Sequence, residues 1–173
     1  MLTLKEKWLS YAEQLCLPVR DTLPTGHRLE GLYVQAETGP FILMQKNLPD
    51  RKYVPALAEE IGHHYQSQGI LLEQDSLDSI KSEGYGKAWA IEQLLPLCKF
   101  AFLSGLYGCT TIAEYAEHLN LEEAFVDSAI AYHRRKGCWP DSFDAIFKTL
   151  AKPNYREILY HKTSAASSRP RGR

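Results

Sequence analysis

The sequence lacks the paired cysteines and the one-sided charge that mark several classes of protein. Its four cysteines form no C-x-x-C pair, so neither a zinc ribbon nor a thioredoxin-like motif is present. Lysine and arginine total 20 against 21 aspartates and glutamates, and the net charge of −1 points to no nucleic-acid partner. We expect free thiols in a reducing compartment.

Long apolar runs are also missing. The first seven residues already carry charges, unlike the start of a signal peptide. The most apolar segment, residues 89–107, is interrupted by Glu92, Pro96 and Lys99, which argues against a membrane span. We therefore expect a cytoplasmic protein that does not enter a membrane.

The composition that is present fits one globular domain. With 173 residues, 45% of them apolar and 24% charged, the chain can bury a sizeable core.

Apolar spacing predicts a first helix, and two β-prone runs around Glu37-Thr-Gly-Pro40 predict a hairpin in which Gly39 takes a positive φ. The predicted elements are a helix at 4–15, strands at 32–36 and 41–45, a helix at 53–66, a loop at 67–82, a helix at 83–95 and helical segments to about residue 162.

Helix-end signals support the later helices. Thr111 with Glu114, and Asn120 with Glu123, have the spacing of N-terminal capping boxes. Cationic residues before Gly137 are typical of a helix C-terminus. In the predicted helix at 53–66, we expect Pro55 to lie in the first turn, where its missing N–H is not needed.

The segment that could carry chemistry is Leu-Ala-Glu-Glu-Ile-Gly-His-His-Tyr at residues 57–65. On a helix, Glu59 and His63 share one face and could hold an ion between them, with Glu60 beside them. This is the metallopeptidase motif H-E-x-x-H with its first histidine replaced by Glu59. In that motif the first and fifth residues bind zinc and the second accepts a proton from water.

Small residues suggest that a second helix packs closely against this one. Gly62 is costly inside a helix unless another backbone approaches it. The next predicted helix offers Glu83 as a third ligand, with Gly86 and Ala90 on the same face. The spacing therefore permits a metal site of Glu59, His63 and Glu83 with one open position for water.

These segments resemble the ImmA/IrrE-like metallopeptidases of phages and mobile elements. The resemblance spans roughly residues 28–137 and rests on residues 57–65, on Glu83 with Ala90 in residues 81–96, and on Ile-Ala-Glu-Tyr-Ala-Glu-His-Leu at 112–119. Many phage-associated members similarly have glutamate in place of the first histidine. The resemblance implies Glu59, His63 and Glu83 as ligands of one Zn²⁺, or of another divalent metal, and Glu60 as the catalytic base.

The resemblance also implies an architecture and a substrate. We expect an α+β, mostly helical zincin-like metallopeptidase domain with a small antiparallel sheet at 1–108, C-terminal helices packed on it at 109–162 and a disordered basic tail at 163–173. The implied activity is an intracellular zinc endopeptidase that cleaves a helix-turn-helix repressor of a phage or mobile element. The alternative is a catalytically weak or inactive module that binds a repressor or a toxin–antitoxin type partner.

Other interpretations of the same residues stay open at this point. The adjacent acids could form a solvated helix face, and Glu73 or Glu92 could replace Glu83 as the third ligand. His64 is expected to support the site or to lie at the surface, and Tyr65 and Tyr85 are expected to pack. The helix pair at 111–137 suggests a helix-turn-helix, but carboxylates at the start of its second helix would face phosphates, so we expect no direct nucleic-acid binding.

Overall fold

The chain folds as an α+β protein with a small mixed sheet. The computed structural model describes residues 2–70 and 79–150, with side chains except at 68–70, 79–83 and 150. The described elements are α1 (Leu4–Gln14), β1 (Val19–Leu23), β2 (Gly31–Ala36), β3 (Gly39–Gln45), α2 (Asp50–Ile70), α3 (Ser79–Leu94), α4 (Leu97–Tyr107), α5 (Ile112–Leu119), α6 (Glu123–Arg135) and α7 (Asp144–Leu150).

Helix α1 begins at a capping box. The hydroxyl of Thr3 accepts the amide N–H of Glu6 at 3.2 Å, and the carboxylate of Glu6 accepts the amide N–H of Thr3 at 2.7 Å. These two bonds satisfy donors that a helix N-terminus leaves free. Trp8 and Ala12, four residues apart, face the core. The predicted first helix is confirmed, one residue shorter than expected.

The predicted hairpin is confirmed and forms two of the three strands. Strands β2 and β3 pair antiparallel, with Tyr33 opposite Ile42, and Gly39 takes a φ of +115° where the chain turns. Left-handed backbone of this kind favours glycine because it has no Cβ. The strand order is β1-β3-β2, so β2 lies at one edge of the sheet.

The prediction of a small antiparallel sheet holds for β2 and β3 but not for β1, which pairs with β3 in parallel. Val19 lies opposite Ile42 in this pairing. The sequence of β1, Val-Arg-Asp-Thr-Leu, buries none of its residues fully and lacks the alternation of apolar and polar residues that identifies a strand. Its pairing with a central strand that is distant in sequence, rather than its own pattern, holds it in the sheet.

Helix α2 is longer than the sequence suggests. It runs over 21 residues, and Pro55 therefore lies in its second turn rather than its first. At that position proline offers no N–H to the carbonyl of Arg51, one turn earlier. Because Arg51 is exposed, water can hydrogen-bond to its carbonyl oxygen in place of the missing N–H. Burial of the residues from Tyr53 to Ala58 against the core favours a continuous helix despite the lost bond.

The predicted loop at 67–82 is too long at both ends. Helix α2 continues to Ile70 and α3 begins at Ser79, and residues 71–78 lie outside the described part of the chain. The predicted helix at 83–95 corresponds to α3, which starts four residues earlier and ends one residue earlier.

The C-terminal helices follow their capping signals in part. Thr111 forms the expected capping box with Glu114 at the start of α5. The second predicted box is wrong: Asn120 ends α5 in the left-handed conformation, and Glu122 precedes α6 without a side-chain cap. Gly137 follows α6 with a φ of +68°, as expected. Helical structure at 151–162 and the disordered tail at 163–173 were predicted for residues outside the described part of the chain.

One hydrophobic core connects the sheet with helices from both parts of the chain. It includes Trp8, Met44 and Leu57 from the first part and Tyr115 and Val126 from α5 and α6. Apolar residues of α5 and α6 are thus buried in this core. The division at residue 108 stays a prediction.

Candidate metal and catalytic site

Three of the predicted site residues lie on α2 between the sheet and α3. Glu59, Glu60 and His63 are all half-buried, and they follow the buried run that ends at Ala58. Glu59 and His63 are four residues apart, which places them on one face of the helix with about 5–6 Å between their Cβ atoms. Glu60 lies about 100° further round the helix.

Helices α2 and α3 approach each other at two glycines. A Cβ atom on Gly62 would lie 2.9 Å from the carbonyl oxygen of Gly86, and one on Gly86 would lie 2.7 Å from Nε2 of His63. Both distances are shorter than side chains allow, so neither position accommodates alanine without movement. The prediction that Gly62 admits a second backbone is confirmed, and the imidazole of His63 lies against α3.

This close approach leads to a prediction about two glycines. Gly62→Ala is expected to lower the free energy of unfolding by about 1 to 3 kcal/mol, because the new methyl group meets backbone atoms that cannot rotate away. Gly84→Ala is the matched control, since a Cβ there meets nothing within 4 Å. In the control, alanine should raise the free energy of unfolding by up to about 1 kcal/mol through helix propensity. Chemical denaturation measures both, and equal stabilisation by the two substitutions would contradict the observed packing.

Glu83 belongs to α3, three residues before Gly86. Residues three apart in a helix share a face, so Glu83 lies about one turn along the surface that His63 contacts. Its side chain is outside the part of the structure that describes side chains. Of the two alternative third ligands, Glu92 accepts hydrogen bonds from Lys136, which follows α6, at 2.6 Å and from the hydroxyl of Tyr132 in α6. Glu73 lies outside the described residues.

Glu60 is held at the free edge of β2. Its Oε2 accepts the backbone N–H of Tyr33 at 2.6 Å. A Cβ on Gly31 would lie 2.8 Å from Cγ of Glu60 and 3.1 Å from its Oε1, so glycine leaves the space that the carboxylate occupies. Burial raises the pKa of Glu60 to about 7; the Tyr33 N–H opposes this shift and the charge of Glu59 adds to it. Such a carboxylate can take up and release a proton near neutral pH.

His64 points to the sheet rather than to the solvent. It is only 4% exposed, and its Nδ1 lies 3.2 Å from the hydroxyl of Tyr33. Burial lowers the pKa of His64, which favours its neutral form. Of the two roles considered for His64, the surface position is therefore wrong, and the supporting position fits the contacts with Tyr33.

Tyr65 and Tyr85, which are expected to pack, have different surroundings. The hydroxyl of Tyr65 bonds that of Tyr11 at 2.6 Å, and its ring packs on Trp89 with 5.2 Å between ring centroids. Tyr85 is exposed. For Tyr65 the expected packing role is confirmed.

Sequence reasoning did not identify Gly31 and Tyr33 as part of the site. Both lie on β2 and contact Glu60, which is 27 residues away from Tyr33. The available signal was weak: a glycine opens a β-prone run, and a tyrosine follows two positions later on the same face.

The side chains of the three predicted metal ligands are not all within the described part of the structure. Among the side chains that the structure describes, no group of three or more His, Cys, Asp and Glu is arranged to hold a metal ion. The side chain of Glu83 is not in that set.

Comparison of the chain with protein-family models, with curated proteins and with solved structures gives no match.

Within the described residues, no individual helix has both the length and the apolar character to cross a membrane. Two segments, Gly84–Tyr107 and Ile112–Leu119, are joined at a bend of 99°. Only when these two segments are taken together do they reach the length and apolar composition of a membrane span.

Proposed function

We propose that this chain is a metal-dependent endopeptidase of the zincin-like kind, with Glu59, His63 and Glu83 as metal ligands and Glu60 as the catalytic base. The observation that carries the proposal is the contact between the imidazole of His63 and the α3 backbone at Gly86. This contact supports the proposal because Gly86 lies on α3 one helical turn after Glu83.

The donor set suits a divalent transition metal. One imidazole and two carboxylates are ligands that zinc accepts in catalytic sites, with a position left open. Replacing imidazole by the carboxylate of Glu59 makes the site harder, so manganese or iron are second choices. When bound, such an ion draws electron density from a carbonyl oxygen and makes water more acidic.

Glu60 has the properties that a general base needs. Its Oε2 is fixed by the Tyr33 N–H, and its Oε1 is the oxygen left to accept a proton from the attacking water. The same oxygen then passes the proton to the leaving amine of the cleaved peptide bond. In the chain without metal, burial raises the pKa of Glu60 to about 7.

The proposed substrate is a protein, a helix-turn-helix repressor of a phage or mobile element, and the proposed location is the cytoplasm. Both come from the resemblance at residues 57–65, 81–96 and 112–119. The second candidate is a module that binds such a repressor, or a toxin–antitoxin type partner, without efficient cleavage. The observation that favours this second candidate is Glu59, which replaces the first histidine of the metallopeptidase motif.

Cleavage of a co-expressed repressor tests the function. A helix-turn-helix repressor encoded beside this chain should be cut when both are produced together, and the products are identified by gel electrophoresis and mass spectrometry. With purified proteins, a chelator should stop cleavage and added zinc should restore it. Stable binding of an uncut repressor would favour the binding module instead.

A further inference from the structure

Tyr33 contacts α2 through both its backbone and its side chain. The backbone N–H donates to Oε2 of Glu60 at 2.6 Å. The hydroxyl lies 3.2 Å from Nδ1 of His64 and 3.0 Å from Oγ of Ser67, one turn and two turns further along α2. Tyr33 of the edge strand thus contacts residues on three successive turns of this helix.

The hydrogen-bond directions follow from the number of protons. The Tyr33 hydroxyl has one proton and donates it to Oε1 of Gln35 at 2.6 Å. The Ser67 hydroxyl donates its own proton to the carbonyl oxygen of His64 at 2.8 Å. In the tautomer with a proton on Nδ1, His64 donates to the oxygen of Tyr33, and this bond attaches the side chain to α2, while Oγ of Ser67 is a polar contact without a proton between the two oxygens.

Neighbouring residues on β2 fit the same arrangement. Gly31, Tyr33 and Gln35 alternate along the strand and therefore share one face. Gly31 leaves room for the stem of Glu60, and Gln35 orients the hydroxyl of Tyr33. The bond from Tyr33 to Glu60 uses an N–H on the side of β2 that is not paired with β3.

We infer that Tyr33 is a positioning residue for Glu60: its hydroxyl fastens β2 to α2, so that its own N–H holds Oε2 and leaves Oε1 turned to the reacting water. This inference rests on the proposed function. Without the hydroxyl, the edge strand can move away from the helix, and a carboxylate displaced by about 1 Å loses catalytic efficiency by up to about 100-fold.

The test compares Tyr33→Phe with wild type. Phenylalanine keeps the ring and the backbone N–H but removes the hydroxyl. We expect kcat for the repressor to fall about 10- to 100-fold, with KM and zinc content unchanged. In a Glu60→Gln background, Tyr33→Phe should cause no further loss, because the residue acts through Glu60.

A second measurement is independent of catalysis. Hydrogen exchange of the residue-33 amide, followed by NMR in the chain without added metal, should be at least about tenfold faster in Tyr33→Phe, while amides of α6 are unaffected. Tyr132→Phe is the matched control: it removes a hydroxyl bonded to Glu92 and should change neither kcat nor exchange at residue 33.

The outcomes separate this inference from the function on which it rests. Absence of both zinc binding and cleavage in the wild-type chain would count against the proposed function. Unchanged exchange at residue 33 in Tyr33→Phe, or an equal loss of kcat in Tyr132→Phe, would overturn the role of Tyr33.

Discussion

Replacing Glu60 by glutamine is expected to lower cleavage of the repressor by about two to four orders of magnitude, the contribution of a general base. The amide keeps the size of the side chain, and its oxygen can still accept the Tyr33 N–H that Oε2 accepts at 2.6 Å in the wild-type chain. It has no basic oxygen to take a proton from water. Zinc content, measured in parallel, should stay at the wild-type level.

Thermal unfolding of the metal-free proteins checks that the variant folds. The pKa of Glu60 is raised to about 7 from its ordinary value near 4.5, so the folded chain binds this proton more tightly than the unfolded chain. The stability of the wild-type chain should therefore fall as pH rises through this interval. Glutamine carries no charge, and Glu60→Gln should be at least as stable as wild type at pH 8.

Glu59, next to Glu60, is expected to respond differently to the same substitution. Glu59→Gln should weaken zinc binding, because a neutral amide oxygen is a poorer ligand than a carboxylate. Undiminished cleavage by the Glu60→Gln protein would contradict the role of Glu60 as base. Loss of zinc from Glu60→Gln, with zinc retained in Glu59→Gln, would mean that the two glutamates have exchanged roles.

His63→Ala is expected to lower zinc affinity by more than about 100-fold, because even the loss of a group that only supports a ligand commonly costs 10- to 100-fold. Glu83→Ala should have a similar effect. Zinc affinity is measured by titration against a chelating dye. The imidazole of His63 lies at the contact with α3, where a Cβ on Gly86 would meet its Nε2 at 2.7 Å.

His64→Gln is the matched control for His63→Ala. The side chain of His64 lies about 100° further round α2, and its Nδ1 contacts the hydroxyl of Tyr33. The control should lower stability, because a buried hydrogen-bonded ring is lost, but change zinc affinity much less than His63→Ala does. If the control removed zinc while His63→Ala retained it, the assignment of the ligand face on α2 would be wrong.

Local sequence signals were enough to predict the elements whose cause is local. The turn at Gly39 requires a positive φ, and the box at Thr111 uses a side chain three residues away. The close contact between α2 and α3 was predictable because Gly62 has no local reason to be in a helix. The turn and the box lie within a few residues of the signals that specify them, whereas Gly62 identifies only one side of its contact with Gly86.

The features that escaped prediction depend on distant parts of the chain. Strand β1 has no clear pattern of its own and is defined by parallel pairing with β3. The bond from Tyr33 to Glu60 joins residues that are 27 positions apart. Nothing in the sequence of β2 indicates that its backbone N–H will donate to a carboxylate on α2. The position of Pro55 in the second turn of α2 accompanies burial of residues 53–58 in the core, and this packing overrides helix propensity.

The zinc content of the purified chain tests the central claim most directly. Protein prepared without chelators and analysed by elemental mass spectrometry should contain about one zinc per chain, as expected for a single site with three protein ligands and an open position. His63→Ala, prepared in the same way, should contain much less. A wild-type chain that is purified without metal and does not take up zinc on titration would contradict the account.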